Sequence, residues 1–442
     1  MSFGMIFVIG NDTHDPQRER SLMKLHILPL TILTILSSAV TQANDDISSL
    51  WLNGKPIVDA RLRYEFANND DAKKPAEALT LRVRPGFQTG TWAGFSGLIE
   101  GEYTTEIVDN YNSTRNNNTA HLVVADPENL ELNQLIVKYA PNAKFDATVG
   151  RQRINLDNQR FVGSVAFRQN EQTYDSMVFN FKPYKELGFY YAYIDQVNTI
   201  FGSEPAKPKS NAVAQPSDVD TSIHLAQVKY NHSPALNAVW YTYLMDIEAW
   251  GNVKHMQSNA TYGVRLTGKQ QALRYVAEYA KQKDYADQPL NYSADYYNLE
   301  LGYSLPASLV KGEIALGYEL LGSDDNKKGF QTPLATKHKF NGWTDVFLNT
   351  PNAGLQDVYI TANLNLTEKC KLGLELHSYD SDEKGSHYGD EYGVSFWHQL
   401  PVKGLSASSK YSLYKADETT VLPAAQGNRD NDKFWLQVDY KY

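Results

Sequence analysis

Residues 57–66, IVDARLRYEF, alternate strictly between apolar and polar side chains. This alternation is the period of a β-strand that has one apolar and one polar face. Residues 79–90 repeat the pattern with leucine and valine on one face and arginine and glutamine on the other. The chain is therefore predicted to be built from strands whose two faces meet different surroundings.

Eighteen segments of this kind, each about 9–14 residues long, continue to the last residue. The predicted strands are 57–66, 79–90, 94–107, 130–140, 143–153, 171–182, 185–196, 221–232, 235–248, 258–269, 271–283, 294–305, 308–321, 355–366, 370–380, 389–400, 403–416 and 432–442.

The connections between these segments alternate in length. Short turns such as 141–143 and 366–369 are followed by long polar loops such as 154–170 and 322–354. Short turns on one side and long loops on the other are typical of an up-and-down transmembrane barrel. The sequence therefore predicts an all-β fold, an 18-stranded antiparallel transmembrane β-barrel of the outer-membrane porin type. A soluble β-sandwich is the alternative, and it explains the regular loop rhythm less well.

The amino-terminal region predicts export. Residues 23–43 have a basic start, a short apolar run and small residues before Ala43, the pattern of a signal peptide. We interpret 1–22 as a mis-assigned start upstream of Met23 and 44–442 as the barrel. Cys370 is the only cysteine, which excludes an internal disulfide framework. The expected location is the outer membrane of a Gram-negative bacterium.

A barrel of 16–18 strands is too wide for side chains to fill, so a channel is the default function. The net charge of the chain is −9, yet arginines gather on predicted inward faces and in the loop 154–170. Phe161 and Val162 in that loop suggest that it folds inward and packs on the wall. We predict that the following arginines line the pore: Arg61, Arg63, Arg82, Arg84, Arg151, Arg153, Arg160 and Arg168.

Such a lining would attract anions, because guanidinium groups stay charged and bind carboxylates in a fork geometry. The alternative interpretation is that the arginines pair with acids on neighbouring strands and stiffen the wall. The available partners are Asp59, Glu65, Glu100, Glu102 and Asp175.

Three segments carry a resemblance to a known family. Residues 150–175, GRQRINLDNQRFVGSVAFRQNEQTYD, are the most specific, and 81–103 and 317–359 add to them. Together they resemble the alginate export family. The resemblance implies an eighteen-stranded outer-membrane barrel whose electropositive constriction passes an anionic uronate polymer. It also implies that Arg63, Arg82, Arg84, Arg151, Arg153, Arg160 and Arg168 form the basic lining.

The same resemblance draws attention to the late loop, with its stretch KHKFNGW. Lys337 and Lys339 would contribute further positive charge to the lumen. Phe340 and Trp343 could stack on sugar faces, and packing on the barrel rim is the alternative. We expect the late loop 322–354, like 154–170, to decide how open the lumen is.

Other functions are less well supported. An enzyme is not expected, because neither G-x-S-x-G nor H-E-x-x-H occurs. A general or small-anion-selective porin unrelated to polysaccharide export and a loop-plugged structural barrel both remain open. The expected partners are an anionic solute or acidic polysaccharide and the surrounding lipid and lipopolysaccharide. We expect no cofactor, metal ion or nucleic acid, and a monomer rather than a trimer.

Overall fold

The structure is a computed structural model, and it describes residues 46–70, 73–203, 215–248, 254–306, 308, 310–383, 385–418 and 427–442. The predicted upstream segment 1–22 and the signal peptide 23–43 lie outside these residues. One short helix, α1 (Ser49–Leu52), precedes the first strand. It lies against the turn that follows β2, where the Gly90 amide donates to the Leu50 carbonyl at 2.8 Å.

Eighteen long strands form one sheet, and two short strands form a separate hairpin, β14 and β15. In chain order the strands are β1 (Lys55–Asn69), β2 (Ala76–Gln88), β3 (Phe95–Asn110), β4 (Asn129–Asn142), β5 (Phe145–Gln152), β6 (Thr173–Phe181), β7 (Leu187–Asn198), β8 (Asp218–Ser233), β9 (Leu236–Ile247), β10 (Asn259–Gln270), β11 (Leu273–Lys283), β12 (Ser293–Ser304), β13 (Lys311–Leu321), β14 (Ser323–Asp324), β15 (Lys328–Gly329), β16 (Leu355–Asn365), β17 (Cys370–Asp380), β18 (His387–Gln399), β19 (Leu405–Ala416) and β20 (Asn431–Lys441).

The sheet closes on itself. Every long strand pairs antiparallel with its neighbour in sequence, and β1 also pairs with β20, so that Arg61 faces Arg82 on one side and Asp439 on the other. The prediction of an 18-stranded antiparallel barrel is confirmed. Strand ends differ from the predicted ones by a few residues, as at β8, which begins at Asp218. The β14–β15 hairpin was not predicted, and it lies inside the late loop.

The outward face of the barrel is apolar. Leu62, Leu299 and Leu316 are among the large apolar side chains that remain 40% or more exposed. Their neighbours along each strand, such as Arg63, Asn298 and Gly317, turn inward, because successive strand side chains point to opposite faces. No helix among the described residues is long and apolar enough to cross a bilayer.

A charged side chain introduced on this outward face is expected to lower the stability of the barrel strongly. Leu299 lies near the middle of β12 and is 53% exposed. We expect Leu299→Arg to destabilise the folded barrel in lipid by about 2–4 kcal/mol, because a charge would enter the hydrocarbon layer. Urea titration of folding into vesicles, read from heat-modifiable gel mobility, measures this. Leu290→Arg, in the connection between β11 and β12, is the matched control, and equal losses would contradict the outward assignment.

The hydrophobic core lies inside the barrel. The inward faces of β6–β9 are apolar, with Ile194, Ile223 and Tyr243 fully or almost fully buried. They are covered by the connection between β5 and β6, residues 153–172, which we call the inner loop. Its Phe161 and Val162 belong to the same apolar cluster. We call residues 322–354, between β13 and β16, the late loop. Both loops therefore occupy part of the lumen.

Candidate functional site

The inner loop extends across the lumen between distant sectors of the wall. On one side, the Arg160 guanidinium donates two hydrogen bonds to Glu319 on β13, at 2.8 and 3.1 Å. On the other, the Gln169 amide donates to the Thr80 hydroxyl on β2 at 2.8 Å. A loop that rested on the rim could not reach both strands from the end of β5. The inner loop thus narrows the lumen.

An aromatic cluster holds the middle of the inner loop. The Phe161 ring lies 5.3 Å from Tyr241 and Tyr296 and 6.0 Å from Phe330, between ring centroids. Tilted and edge-on rings at such distances are favourable, and they bury apolar surface. The next residue, Val162, bridges to Leu334, and both are fully buried. The inner loop is therefore packed on the wall and on the late loop together.

Buried charges hold the carboxyl-terminal part of the inner loop. Arg168 Nη1 lies 3.0 Å from Glu65 Oε2 and 3.7 Å from Asp126 Oδ2, while Nη2 lies 3.2 Å from Asp345 Oδ2. Lys433 on β20 binds the same Asp345 oxygen at 3.0 Å. Arg168 is only 7% exposed, so the wall, the inner loop and the late loop meet in one desolvated ionic cluster.

The late loop is anchored in the same way. The Asn341 amide donates to Glu319 at 2.8 Å and to Asp357 at 3.0 Å. Glu391 on β18 accepts the Thr344 backbone amide at 2.9 Å and the Ser412 hydroxyl at 2.6 Å. Wall carboxylates thus act as acceptors for loop donors, which fixes the late loop inside the barrel.

The eight predicted pore arginines all have a carboxylate partner. Six of them are between 0% and 8% exposed. The pairs are Arg61–Asp439, Arg63–Asp126, Arg82–Asp59, Arg84–Glu102, Arg151–Asp175, Arg153–Glu100, Arg160–Glu319 and Arg168–Glu65. This arrangement matches the interpretation in which arginines stiffen the wall. Arg153 is the most accessible inward one, with its side chain 30% exposed.

Arg151 does not share the inward face. In the register it faces Leu135 on β4 and Asp175 on β6, and Leu135 is 49% exposed on the outside of the barrel. The neighbouring Gln152 points inward and is buried. The prediction that Arg151 and Arg153 share a lumen face is corrected, because β5 ends at Gln152 and Arg153 belongs to the inner loop.

The residues predicted from the late loop lie inside the barrel rather than on its rim. Lys337 and Lys339 sit in a 3-10 turn, Lys337–Lys339, and donate to Asn349 and to the Asn158 carbonyl. The Phe340 ring lies 4.8 Å from the Arg160 guanidinium carbon. The Trp343 ring lies 4.2 Å from the Lys410 ammonium. The aromatic rings therefore accompany cations within the lumen.

His338, in the same turn, is buried and neutral. Burial lowers its pKa to about 3, although Asp345 opposes this shift. Its Nδ1 lies 2.7 Å from Asp345 Oδ1, and its Nε2 lies 3.1 Å from the Lys410 ammonium. Nδ1 therefore donates to the carboxylate and Nε2 accepts from the lysine, which is the arrangement of a neutral imidazole.

Four further candidate residues were not predicted from the sequence. Lys371 on β17, Trp397 on β18, Lys410 on β19 and Trp435 on β20 line one cavity of about 510 Å³ inside the barrel, together with Phe167 of the inner loop. Their inward positions follow from strand alternation, which could have located each of them separately. Nothing in the sequence indicated that they meet, since they come from four strands and a distant loop.

A closed antiparallel barrel with an apolar exterior, a polar wall and loops folded into its lumen defines the class of transmembrane β-barrel channels. The sequence profile of the family described as alginate export matches residues 57–388, and the chain belongs to this family. The resemblance seen in the sequence is thereby confirmed. No curated protein matches the chain at a significant level.

Solved structures with the same fold include two from Pseudomonas aeruginosa and one from Acinetobacter baumannii. OccK5 (OpdH) is 13% identical with a TM-score of 0.63, over 88% of this chain and 97% of that one. OccK11 (OpdR) is 14% identical with a TM-score of 0.62, over 88% and 96%. OccAB4 is 14% identical with a TM-score of 0.60, over 88% and 98%. At these identities the likeness shows the fold.

Within the described part of the chain, no group of three or more His, Cys, Asp and Glu side chains could hold a metal ion.

Proposed function

We propose that this protein is a passive outer-membrane channel that passes anionic solutes, including an acidic polysaccharide of the uronate type. The observation that carries the proposal is the presence of lumen lysines without a carboxylate partner. Among the described residues, Lys337, Lys339, Lys371 and Lys410 make no ion pair. Uncompensated cations in a narrow passage raise the local concentration of anions.

In this proposal the arginines and the lysines have different tasks. Each arginine is matched by a carboxylate, so its net contribution to the field is small, and its main effect is to hold the two loops in place. The four lysines supply the selectivity. The basic lining expected from the family resemblance is thus proposed to operate mainly through lysine.

Several broader expectations belong to the same proposal. The family name points to alginate, an acidic polymer, as the cargo class. The outer membrane of a Gram-negative bacterium is the location proposed from the barrel and from the signal peptide predicted at 23–43. We further propose that the barrel works as a monomer without a cofactor, and that it carries out transport rather than catalysis.

The reversal potential of purified protein in a planar bilayer, under a potassium chloride gradient, tests the proposal. We expect chloride preference in the wild type and a smaller preference in the double variant Lys337→Met/Lys339→Met, because two unpaired charges leave the lumen. Burial lowers the pKa of Lys337 to about 8, so the measurement belongs at pH 7, where this lysine is protonated.

Lys369→Met/Lys403→Met, which removes two lysines from short turns outside the lumen, is the control. Cation preference in the wild type would contradict the proposal. An unchanged anion preference in the lumen variant would do the same.

A loop-plugged structural barrel is the second candidate, and a specific observation favours it. The inner loop is tied to the wall by both the Phe161 cluster and the Arg168 ion pairs. A barrel so filled could be closed at rest. Correctly folded protein that shows no conductance in the same bilayer experiment would support this candidate against the channel.

A further inference from the structure

The cavity of about 510 Å³ lies between the inward faces of β16–β20 and the inner loop. It is on the side of the constriction nearer the short turns, because Asn365 at the end of β16 and Lys371 at the start of β17 both line it. Its volume falls within the range of about 300–1,000 Å³ that is usual for small-molecule sites. The cavity is therefore large enough to hold a solute between the constriction and the short-turn end.

Lys410 lies among aromatic rings at the end of this cavity that is nearer the inner loop. Its ammonium lies 4.2 Å from the Trp343 ring, 5.0 Å from Phe167 and 5.6 Å from Trp435. One of its protons goes to His338 Nε2, which accepts because the imidazole is neutral. Within the described residues Lys410 has no carboxylate partner, so two donors and a full charge remain for a ligand.

Of the three acids whose charges act on Lys410, Asp345 and Glu391 are engaged by other groups. Asp345 is bound by Arg168 and Lys433, at 3.2 and 3.0 Å. Glu391 accepts the Thr344 amide and the Ser412 hydroxyl. The third acid, Glu375 on β17, has an Oε1 without a hydrogen-bond partner, yet among the described residues it makes no ion pair with the Lys410 ammonium. A ligand that brings a carboxylate would complete this charge balance.

The pairing of a lysine with an indole ring recurs at the end of the cavity that is nearer the short turns. Lys371 and Trp397 face each other in the register of β17 and β18, and the Lys371 ammonium lies 5.0 Å from the indole ring. Lys410 pairs with Ser395, two residues from Trp397 along β18. Two lysine–indole units thus follow one another along the same wall.

Trp435 adds an unused donor. It is 2% exposed, and its indole Nε1 has no hydrogen-bond partner among the residues that the structure describes. A buried donor without an acceptor is costly. An unused indole N–H beside an unpaired ammonium is the donor set expected of a site that binds an oxygen-rich anion.

We propose that this cavity is a binding site for a sugar ring that carries a carboxylate. Lys410 and Lys371 bind the carboxylate, the Trp435 Nε1–H donates to an oxygen of the ligand, and the face of Trp397 packs against the C–H surface of the ring. This inference rests on the proposed function and deepens it, since it gives the proposed substrate class a binding site in a cavity separate from the constriction that the arginines hold in place. A neutral sugar lacks the carboxylate and binds more weakly.

Calorimetric titration of the detergent-solubilised, full-length mature barrel tests this site independently of conductance. We expect D-glucuronate to bind and D-glucose to bind at least about tenfold more weakly, since a charged hydrogen-bonded contact of this kind is worth more than one decade in affinity. Lys410→Met and Lys371→Met should each weaken glucuronate binding at least about tenfold. Lys403→Met, in a short turn outside the cavity, is the matched control and should bind as the wild type does.

Heat-modifiable gel mobility shows whether each variant is folded. Should Lys410→Met fail to fold, Lys371→Met decides, because Lys371 is exposed at the cavity edge. Equal binding of glucose and glucuronate, absence of glucuronate binding, or unchanged binding in the folded lysine variants would each overturn the inference. Cation preference of the wild-type protein in the bilayer would instead refute the proposed function, so the two failures are distinguishable.

Discussion

Replacement of Arg168 by Met is expected to destabilise the barrel by about 3–5 kcal/mol, because it removes one partner of a buried ionic cluster. Glu65, Asp126 and Asp345 would keep their charges without the guanidinium that they share. The inner loop would also lose its ion pair with Glu65 on β1, although Arg61 of the same strand would still donate to the Phe167 carbonyl. We therefore expect a lower unfolding temperature, which heat-modifiable gel mobility measures. We also expect a larger single-channel conductance, because the loop would leave the lumen.

Arg151→Met is the control for this experiment. Arg151 also pairs bidentately with an aspartate, yet its side chain is 26% exposed and lies on the outward face. Accessible ion pairs contribute about 1 kcal/mol or less. If both variants lost the same stability and kept the same conductance, the ionic cluster around Arg168 would not be what holds the inner loop.

Replacement of Phe161 by Ala is the second change with a large expected effect. The ring contacts Tyr241, Tyr243, Tyr296 and Phe330, and truncation of a buried Phe costs about 3–5 kcal/mol. Arg160 and Arg168 on either side would stay paired, so the barrel should still form. We expect the middle of the inner loop to become mobile, which single-channel recording would detect as increased current noise and a higher mean conductance.

Phe181→Ala provides the comparison. Phe181 is on β6, close in sequence to the inner loop, but it is 47% exposed on the outward face. Its loss should leave the current trace unchanged. A trace for Phe161→Ala that matched the wild type would mean that the aromatic cluster does not position the loop.

Much of the fold was predictable from the sequence because a transmembrane barrel repeats one simple constraint. Each strand must show apolar side chains to lipid and tolerate polar ones inside, so alternation marks every strand. The segments 57–66 and 432–442 were recognised in this way, and they prove to be the first and last strands, β1 and β20, which close the barrel. Connection lengths supplied the up-and-down order.

The failures occur where that constraint ends. The sequence predicts that Arg151 faces the lumen because it lies two residues from Arg153, and a strand would place both on one face. The strand stops at Gln152, so the period no longer applies to Arg153, which turns inward as part of a loop. The ends of strands are set by local backbone geometry and by contacts, which a periodic pattern does not record.

The candidate site, too, was predictable from the sequence only in part. The arginines could be found as a cluster, and their possible acid partners could be named, but pairing requires knowledge of distance. Arg160 and Glu319 are separated by 159 positions in the chain and by 2.8 Å in space. The sequence also gave no sign that Lys410 lacks an ion-pair partner, since this depends on which neighbouring groups bind Asp345 and Glu391.

The order of residues alone was enough to predict strand number, barrel closure and the presence of two long basic loops, because each of these follows from local periodicity or local composition. The family was indicated separately, by the resemblance of three segments. Only the tertiary structure decided that the loops enter the lumen, that arginines are neutralised while certain lysines are not, and that Lys371, Trp397, Lys410 and Trp435 enclose a common cavity. The physical reason is that net charge and accessibility are properties of a neighbourhood in space, and strand closure brings together side chains that no sequence interval connects.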